Sequence, residues 1–244
     1  MGNKRVVCLG DSITEGVGVN IGERYVDYLC ELLNVETFGY GENGAEYIDL
    51  LAQAERMFSE LGEMVDYVIV FAGTNDFYFN VPIGEWFSVG AKEVLNDLAE
   101  QNSLEKRKVR FWNFDTDTFK GRINVLLSFL KKKYADKEIV LLTPIHRAFA
   151  TFGAQNVQYD ELHSNSAGIF FDEYVQAVKE AADVWSVRLV DAYKDSGLFP
   201  LVDENAKKYF VSAKTDRLHL NQDGHYRLAK TIAAYFRGTF FDFM

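Results

Sequence analysis

Proline is scarce in this chain of 244 residues, three in all, and cysteine is scarcer still at two. So few prolines, with 18 glycines spread along the chain, exclude collagen-like and proline-rich disordered chains. Two cysteines cannot staple a disulfide scaffold or build a thiolate metal cage; Cys8, in an expected strand, and Cys30, in an expected helix, read as core thiols. Long apolar runs are also missing. Residues 68–72 and 139–142 have strand length, far below the ~20 residues a helix needs to cross a bilayer, so no membrane span is expected. Positive charge is in deficit, with 26 Lys and Arg against 36 Asp and Glu. The net charge of −10 repels phosphate backbones and anionic lipid, which argues against a nucleic-acid partner. Lys4 and Arg5 precede only residues 6–9 of apolar sequence, shorter than the roughly 7–15 residues of a signal h-region. The expected location is cytoplasmic, and a chain whose leader had been removed would read the same.

What is present is a globular composition, 48% hydrophobic and 25% charged. Short apolar runs alternate with segments whose apolar residues recur three and four apart, the pattern of a parallel sheet covered by helices on both faces. Strands are expected at residues 5–9, 34–38, 66–72, 138–143 and 187–191. Helix faces are expected from Tyr25, Val26, Leu29, Leu32 and Leu33, and from Ile48, Leu51, Ala52, Phe58 and Leu61. A closing helix over 223–236 turns Leu228, Ala229, Ile232, Tyr235 and Phe236 inward. No repeat or flexible linker interrupts the alternation, so one domain over 1–244 is expected. Two stretches fall outside it: an aromatic insertion around 77–120, with a helix expected over 89–99, and an irregular segment over 144–166. Both follow strand ends on the edge where open α/β sheets bind ligands, and both are candidate pocket walls.

The first strand runs into GDSITEG, residues 10–16, placing Ser12 on a glycine-flanked turn where its hydroxyl can leave the sheet. A phosphate-cradling loop is the competing reading, but the P-loop lysine and the GxGxxG spacing are absent, and a serine ahead of a helix is often only a cap. The turn FGYGENGAEY, residues 38–47, and AGTND, residues 72–76, end on the same sheet edge. The backbone N–H groups of Ser12 and Gly44 and the side-chain amide of Asn75 could therefore form the donor set that stabilises a tetrahedral oxyanion. Asn75 could equally bond its own turn. In DRLHLNQDGHYRLA, residues 216–229, Asp216 and His219 stand three apart, a spacing that lets a carboxylate orient an imidazole base. Asp160 and His163 have the same spacing, and on spacing alone the two pairs are equivalent.

Taken in order, GDS, the second glycine turn, GTND and the D-x-x-H pair before the last helix resemble the blocks of the GDSL/SGNH hydrolase superfamily. The resemblance implies a three-layer α/β/α sandwich with a five-stranded, mostly parallel, flavodoxin-like sheet. It implies Ser12 as nucleophile, Gly44 and Asn75 as oxyanion donors beside the Ser12 N–H, His219 as base and Asp216 as its orienter. Two positions depart from the usual family pattern. Leu220 follows His219 where proline is common, and the second block reads GENGAE without its usual Ser or Thr, which keeps Gly41 and Gly39 as alternatives to Gly44. Candidate substrate contacts are Asp11, His146, Trp86 and Trp112; His163 and His225 read as structural or solvent-facing. No metal-ligand spacing is evident, and neither metal nor cofactor is expected.

The expected activity is that of a serine esterase cleaving carboxylic esters through an acyl-enzyme, with short acyl groups on carbohydrate as the favoured small-molecule substrate. Lysophospholipase and thioesterase activities are the alternatives within the superfamily. A non-catalytic flavodoxin-like ligand binder is the alternative of another class. Oligomeric state is left open.

Overall fold

The computed structural model describes residues 4–96 and 103–240. In chain order its first half comprises β1 (Arg5–Gly10), α1 (Ser12–Glu15), α2 (Tyr25–Leu33), β2 (Glu36–Gly39), α3 (Leu50–Leu61), β3 (Tyr67–Phe71), α4 (Thr74–Tyr78), β4 (Phe87–Asn96) and β5 (Ser103–Trp112). There follow α5 (Phe119–Lys133), β6 (Glu138–Leu142), β7 (Ala150–Thr151), β8 (Val157–Gln158), α6 (Phe171–Trp185), β9 (Arg188–Val190), α7 (Ala192–Asp195), α8 (Asp203–Tyr209), β10 (Phe210–Ser212), β11 (Asp216–Leu220) and α9 (Gln222–Thr239).

Five strands form one parallel sheet in the order β2-β1-β3-β6-β9, the doubly wound order of flavodoxin-like folds. All five are the strands expected from sequence, with shifted ends. Their side chains alternate with period two between two cores. Val7, Leu9, Val68, Val70, Ile139 and Leu141 face α3, α5 and α6. Val6, Cys8, Ile69, Phe71, Val140 and Leu142 face α2 and α9. Burial on both faces explains why these strands read as unbroken apolar runs. Among the described residues no helix is long and apolar enough to cross a membrane.

Three expectations need correcting. The helix over 89–99 is instead strand β4 as far as Asn96, paired antiparallel with β5 along its whole length; residues 97–99 lie outside the described residues. The two strands form a separate ribbon whose base is anchored by Phe87 and by Trp112 stacked on Trp185, with ring centroids 4.3 Å apart. Helix α3 buries Leu50, Gln53, Ala54 and Met57, so its inner face is rotated from the expected one, and Ala52 is exposed. Cys8 is buried as expected, but Cys30 is exposed. The D-x-x-H pair before the closing helix lies on a short strand, β11, which pairs with β10 and, through Asp216, with Ala150 of β7.

Candidate active site

The carboxyl ends of β1 and β3 and the loops beyond them bring the sequence motifs together. At the end of β1 the chain turns into α1 with no room to spare. A Cβ on Gly10 would stand 2.2 Å from the Thr14 hydroxyl and 2.5 Å from the Phe71 carbonyl, so only glycine fits. Gln53 clamps the same residue from α3, accepting from the Gly10 N–H at 2.9 Å and donating to its carbonyl at 2.8 Å. Asp11 then caps α1 by accepting from the Ile13 N–H at 3.0 Å. Ser12 is thus the first residue of a short helix held from both sides, only 4% exposed.

The Ser12 hydroxyl lies 3.0 Å from Nε2 of His219. Nδ1 of His219 lies 3.0 Å from Oδ2 of Asp216. The other Asp216 oxygen accepts the backbone N–H groups of Leu218 and His219, at 3.1 and 2.9 Å, which fixes the carboxylate beneath the ring. Both residues are buried. Such a relay can take a proton from the serine and hold the resulting imidazolium. The rival pair also forms, with His163 Nδ1 at 2.8 Å from Asp160, but it sits on an exposed loop, and the histidine bonded to Ser12 is His219.

Asn75, in the first turn of α4, donates from Nδ2 to the Ala45 carbonyl at 2.9 Å and so meets the second glycine turn next to Gly44. Gly44 has φ +81°, a left-handed conformation that favours glycine. Gly41 has a different part: its Cβ would strike the α1 backbone at Glu15, 2.5 Å away, so it lets the second turn pass against the Ser12 helix. Arg122 of α5 ties the second glycine turn to α4, bonding Glu46 at 2.6 Å and Asp76 at 2.9 Å, while Asp76 also accepts the Tyr47 N–H at 3.0 Å.

The four candidate substrate contacts have other partners. Asp11 is buried with its carboxylate on the turn, and burial raises its pKa to about 6 against the opposing pull of the Ile13 N–H, His219 and Arg147. His146 is held by Glu161 at 2.5 Å and packs on Tyr193 with ring centroids 3.6 Å apart. Trp86 is a core residue whose indole N–H donates to Glu180 at 2.9 Å, and Trp112 packs on Trp185 at the ribbon base. The aromatic beside the dyad is Phe152, 5.2 Å from the His219 ring. Sequence reasoning passed over Phe152 and Gln53. For Gln53 the trace was a polar residue at a core position of an amphipathic helix.

The sequence profile of the GDSL-like Lipase/Acylhydrolase family matches residues 8–227, a span that begins inside β1 and ends inside α9. The chain belongs to this family. No curated protein sequence matches it. Solved structures share the GDSL-like fold. A protein from Lactobacillus plantarum aligns with a TM-score of 0.72 at 22% identity, covering 98% of this chain and 99% of that one. The lipase/acylhydrolase from Enterococcus faecalis aligns with a TM-score of 0.56 at 18% identity, covering 96% of each chain. An acetyl xylan esterase, AlAXEase, aligns with a TM-score of 0.61 at 22% identity, covering 95% and 98%.

Proposed function

We propose that this GDSL-like acylhydrolase is a serine esterase that removes short acyl groups, acetyl above all, from hydroxylated small molecules through an acyl-enzyme. The observation that carries the reading is the chain Ser12–His219–Asp216, with 3.0 Å at each link. In this reading the Ser12 oxygen attacks the ester carbonyl carbon while its proton passes to Nε2 of His219, and Asp216 holds the imidazolium. The tetrahedral oxyanion is received by the Ser12 and Gly44 N–H groups and by the second N–H of the Asn75 amide, the first being held by Ala45. Collapse breaks the bond to the alcohol, which leaves with the proton from His219. Water, deprotonated by the same histidine, then releases the acid and restores Ser12.

The acetyl xylan esterase among the similar structures supports a carbohydrate acetate only in that the same fold carries such an activity. Residues 1–244 form one functional domain in this reading, with 77–120 as an insertion into it.

Two measurements test the proposal. A fluorophosphonate probe is expected to label the protein once, at Ser12, and Ser12→Ala to lose both labelling and turnover; full activity in that variant would sink the esterase reading. Across an ester series from acetyl to palmitoyl, rates are expected to fall with chain length. Faster cleavage of palmitoyl esters would move the assignment to a lysophospholipase or thioesterase.

A further inference from the structure

In the irregular segment after β6, Arg147 turns its side chain into the molecule and is only 1% exposed. One terminal nitrogen donates to both the carbonyl and the hydroxyl of Thr74, at 3.0 Å each, and the other donates to the Gln158 side-chain oxygen at 2.5 Å. The rings of Phe77 and Phe171 flank the guanidinium, with centres 5.0 and 5.8 Å from its carbon. Burial lowers its pKa to about 10, so it is a cation at neutral pH. Its three acceptors are neutral oxygens, and among the described residues no carboxylate bonds the guanidinium. A cation buried without a bonded counter-charge is costly, and an apolar side chain of similar size would fill the space without that cost. What the guanidinium adds is a directed grip on Thr74.

That grip falls on the oxyanion side of the site. The Thr74 carbonyl belongs to the planar peptide unit that leads into Asn75, so Arg147 fixes the plane from which the Asn75 side chain departs. The next residue, Asp76, is held by Arg122 at 2.9 Å. Asn75 therefore stands between two arginine-held neighbours. On the other side, the chain that carries Arg147 is laced to the strand of the base. The Ala148 N–H donates to the Arg217 carbonyl at 3.2 Å, the Arg217 N–H to the Phe149 carbonyl at 3.1 Å and the Thr151 N–H to the Thr215 carbonyl at 2.8 Å, while Ala150 pairs with Asp216. Glu161 accepts the N–H of Arg147 itself at 2.9 Å and steadies the backbone at the root of the side chain. Residues 147–151 thus span the site, holding β11 by backbone bonds and α4 by one side chain.

We propose that Arg147 is a positioning residue of the esterase reaction, which sets the Asn75 amide against the Asp216–His219 strand so that oxyanion donor and general base address the same ester carbonyl. This rests on the esterase reading above and adds a residue to it. Arg147 acts through Asn75, not on the substrate. Because a preorganised donor is effective only when already aimed, its misplacement costs rate more than affinity.

The test is a double-mutant cycle on the full chain with ethyl acetate as substrate. It uses Arg147→Met, which occupies much of the same space without donors, and Asn75→Ala, singly and together. Arg147→Met is expected to lower kcat by roughly 10–10²-fold with KM changed by less than about threefold. In the Asn75→Ala background the same substitution is expected to cost less than about threefold in kcat, because the donor it aims is gone. Equal fold-losses in the two backgrounds, a kcat near wild type in Arg147→Met, or an Asn75→Ala variant as fast as wild type each overturns the positioning role. The esterase reading survives those outcomes as long as wild type cleaves ethyl acetate and labels with fluorophosphonate at Ser12. Should circular dichroism show Arg147→Met unfolded, the cycle is run with Thr74→Val, which keeps the side-chain shape and removes one acceptor. Its loss of kcat is expected only where Asn75 is present, and equal losses with and without Asn75 overturn the proposal. A wild type that neither labels at Ser12 nor cleaves ethyl acetate overturns the esterase reading and the positioning role with it.

Discussion

The residues around Ser12 divide into those that face the reacting atoms and those that hold them in place. Gly10, Gln53 and Asp11 build the turn: the glycine leaves space, the glutamine satisfies both of its backbone polar groups, and the aspartate caps the helix. Asn75 bridges two loops, with one amide hydrogen on Ala45, and in the proposed mechanism its other amide hydrogen meets the oxyanion. Removing one such donor weakens transition-state binding far more than substrate binding. Asn75→Ala is therefore expected to lower kcat by about 10²–10³-fold with little change in KM, measured on ethyl acetate. A rate within a few-fold of wild type would leave Asn75 as a turn residue only. GDS and GTND were legible as short strings because glycine, serine and asparagine at strand ends have few roles. Gln53 was not, since its importance comes from Gly10, 43 residues away.

At the scale of elements, the largest departure from the sequence reading is the β4–β5 ribbon. Residues 91–95, AKEVL, are good helix formers locally, and a helix pattern follows from them. Ten cross-strand pairs with residues 103–112 override that preference, and the aromatic cluster of Phe87, Trp112 and Trp185 fixes the base. Long-range pairing of this kind leaves no mark in a local window. The ribbon forms a sheet of its own, separate from the five parallel strands and from the small sheet that carries His219. Deleting residues 91–108 and joining the remaining ends through Asn-Gly, a favoured two-residue hairpin turn, is expected to leave fluorophosphonate labelling of Ser12 intact. Loss of labelling in a folded variant, judged by circular dichroism, would place the ribbon within the site.

For the whole molecule, the elements are locked by polar contacts between distant segments of chain, and one of them sets a pH limit on stability. His225 of α9 is fully buried and accepts the N–H of Tyr25, the first residue of α2, at 3.2 Å, satisfying a helix-end donor that α2 cannot satisfy itself. Burial lowers its pKa to about 4, so the folded state holds it neutral while the unfolded chain binds a proton at about pH 6.5. The unfolded state then carries more protons between those values, and stability present above pH 6.5 is lost as pH falls towards 4. Between about pH 7 and about pH 5 this amounts to about 2 kcal/mol. His225→Asn, which keeps an acceptor but cannot be protonated, is expected to show a smaller loss of melting temperature over that range than wild type. Equal losses in the two proteins would assign the acid sensitivity elsewhere.

The sequence by itself determined the five strands, their burial on both faces and the order of the motifs along one sheet edge. Those features follow from local chemistry: apolar runs of strand length, helical periodicity, and glycines where a turn demands them. Spacing alone did not choose between the two D-x-x-H pairs; the order of the motifs, through the family resemblance, pointed to Asp216 and His219. In both pairs the three-residue spacing brings aspartate to histidine, at 3.0 Å for Asp216 and 2.8 Å for Asp160, because that contact is made within one turn of chain. The bond to Ser12 joins residues 207 positions apart. It exists at His219 and not at His163 because β11 packs against α1 at the end of the sheet, while the loop carrying His163 folds over a cleft beside α4. The physical difference between the pairs, one bonded to Ser12 and one not, arises only from the closure of the whole chain.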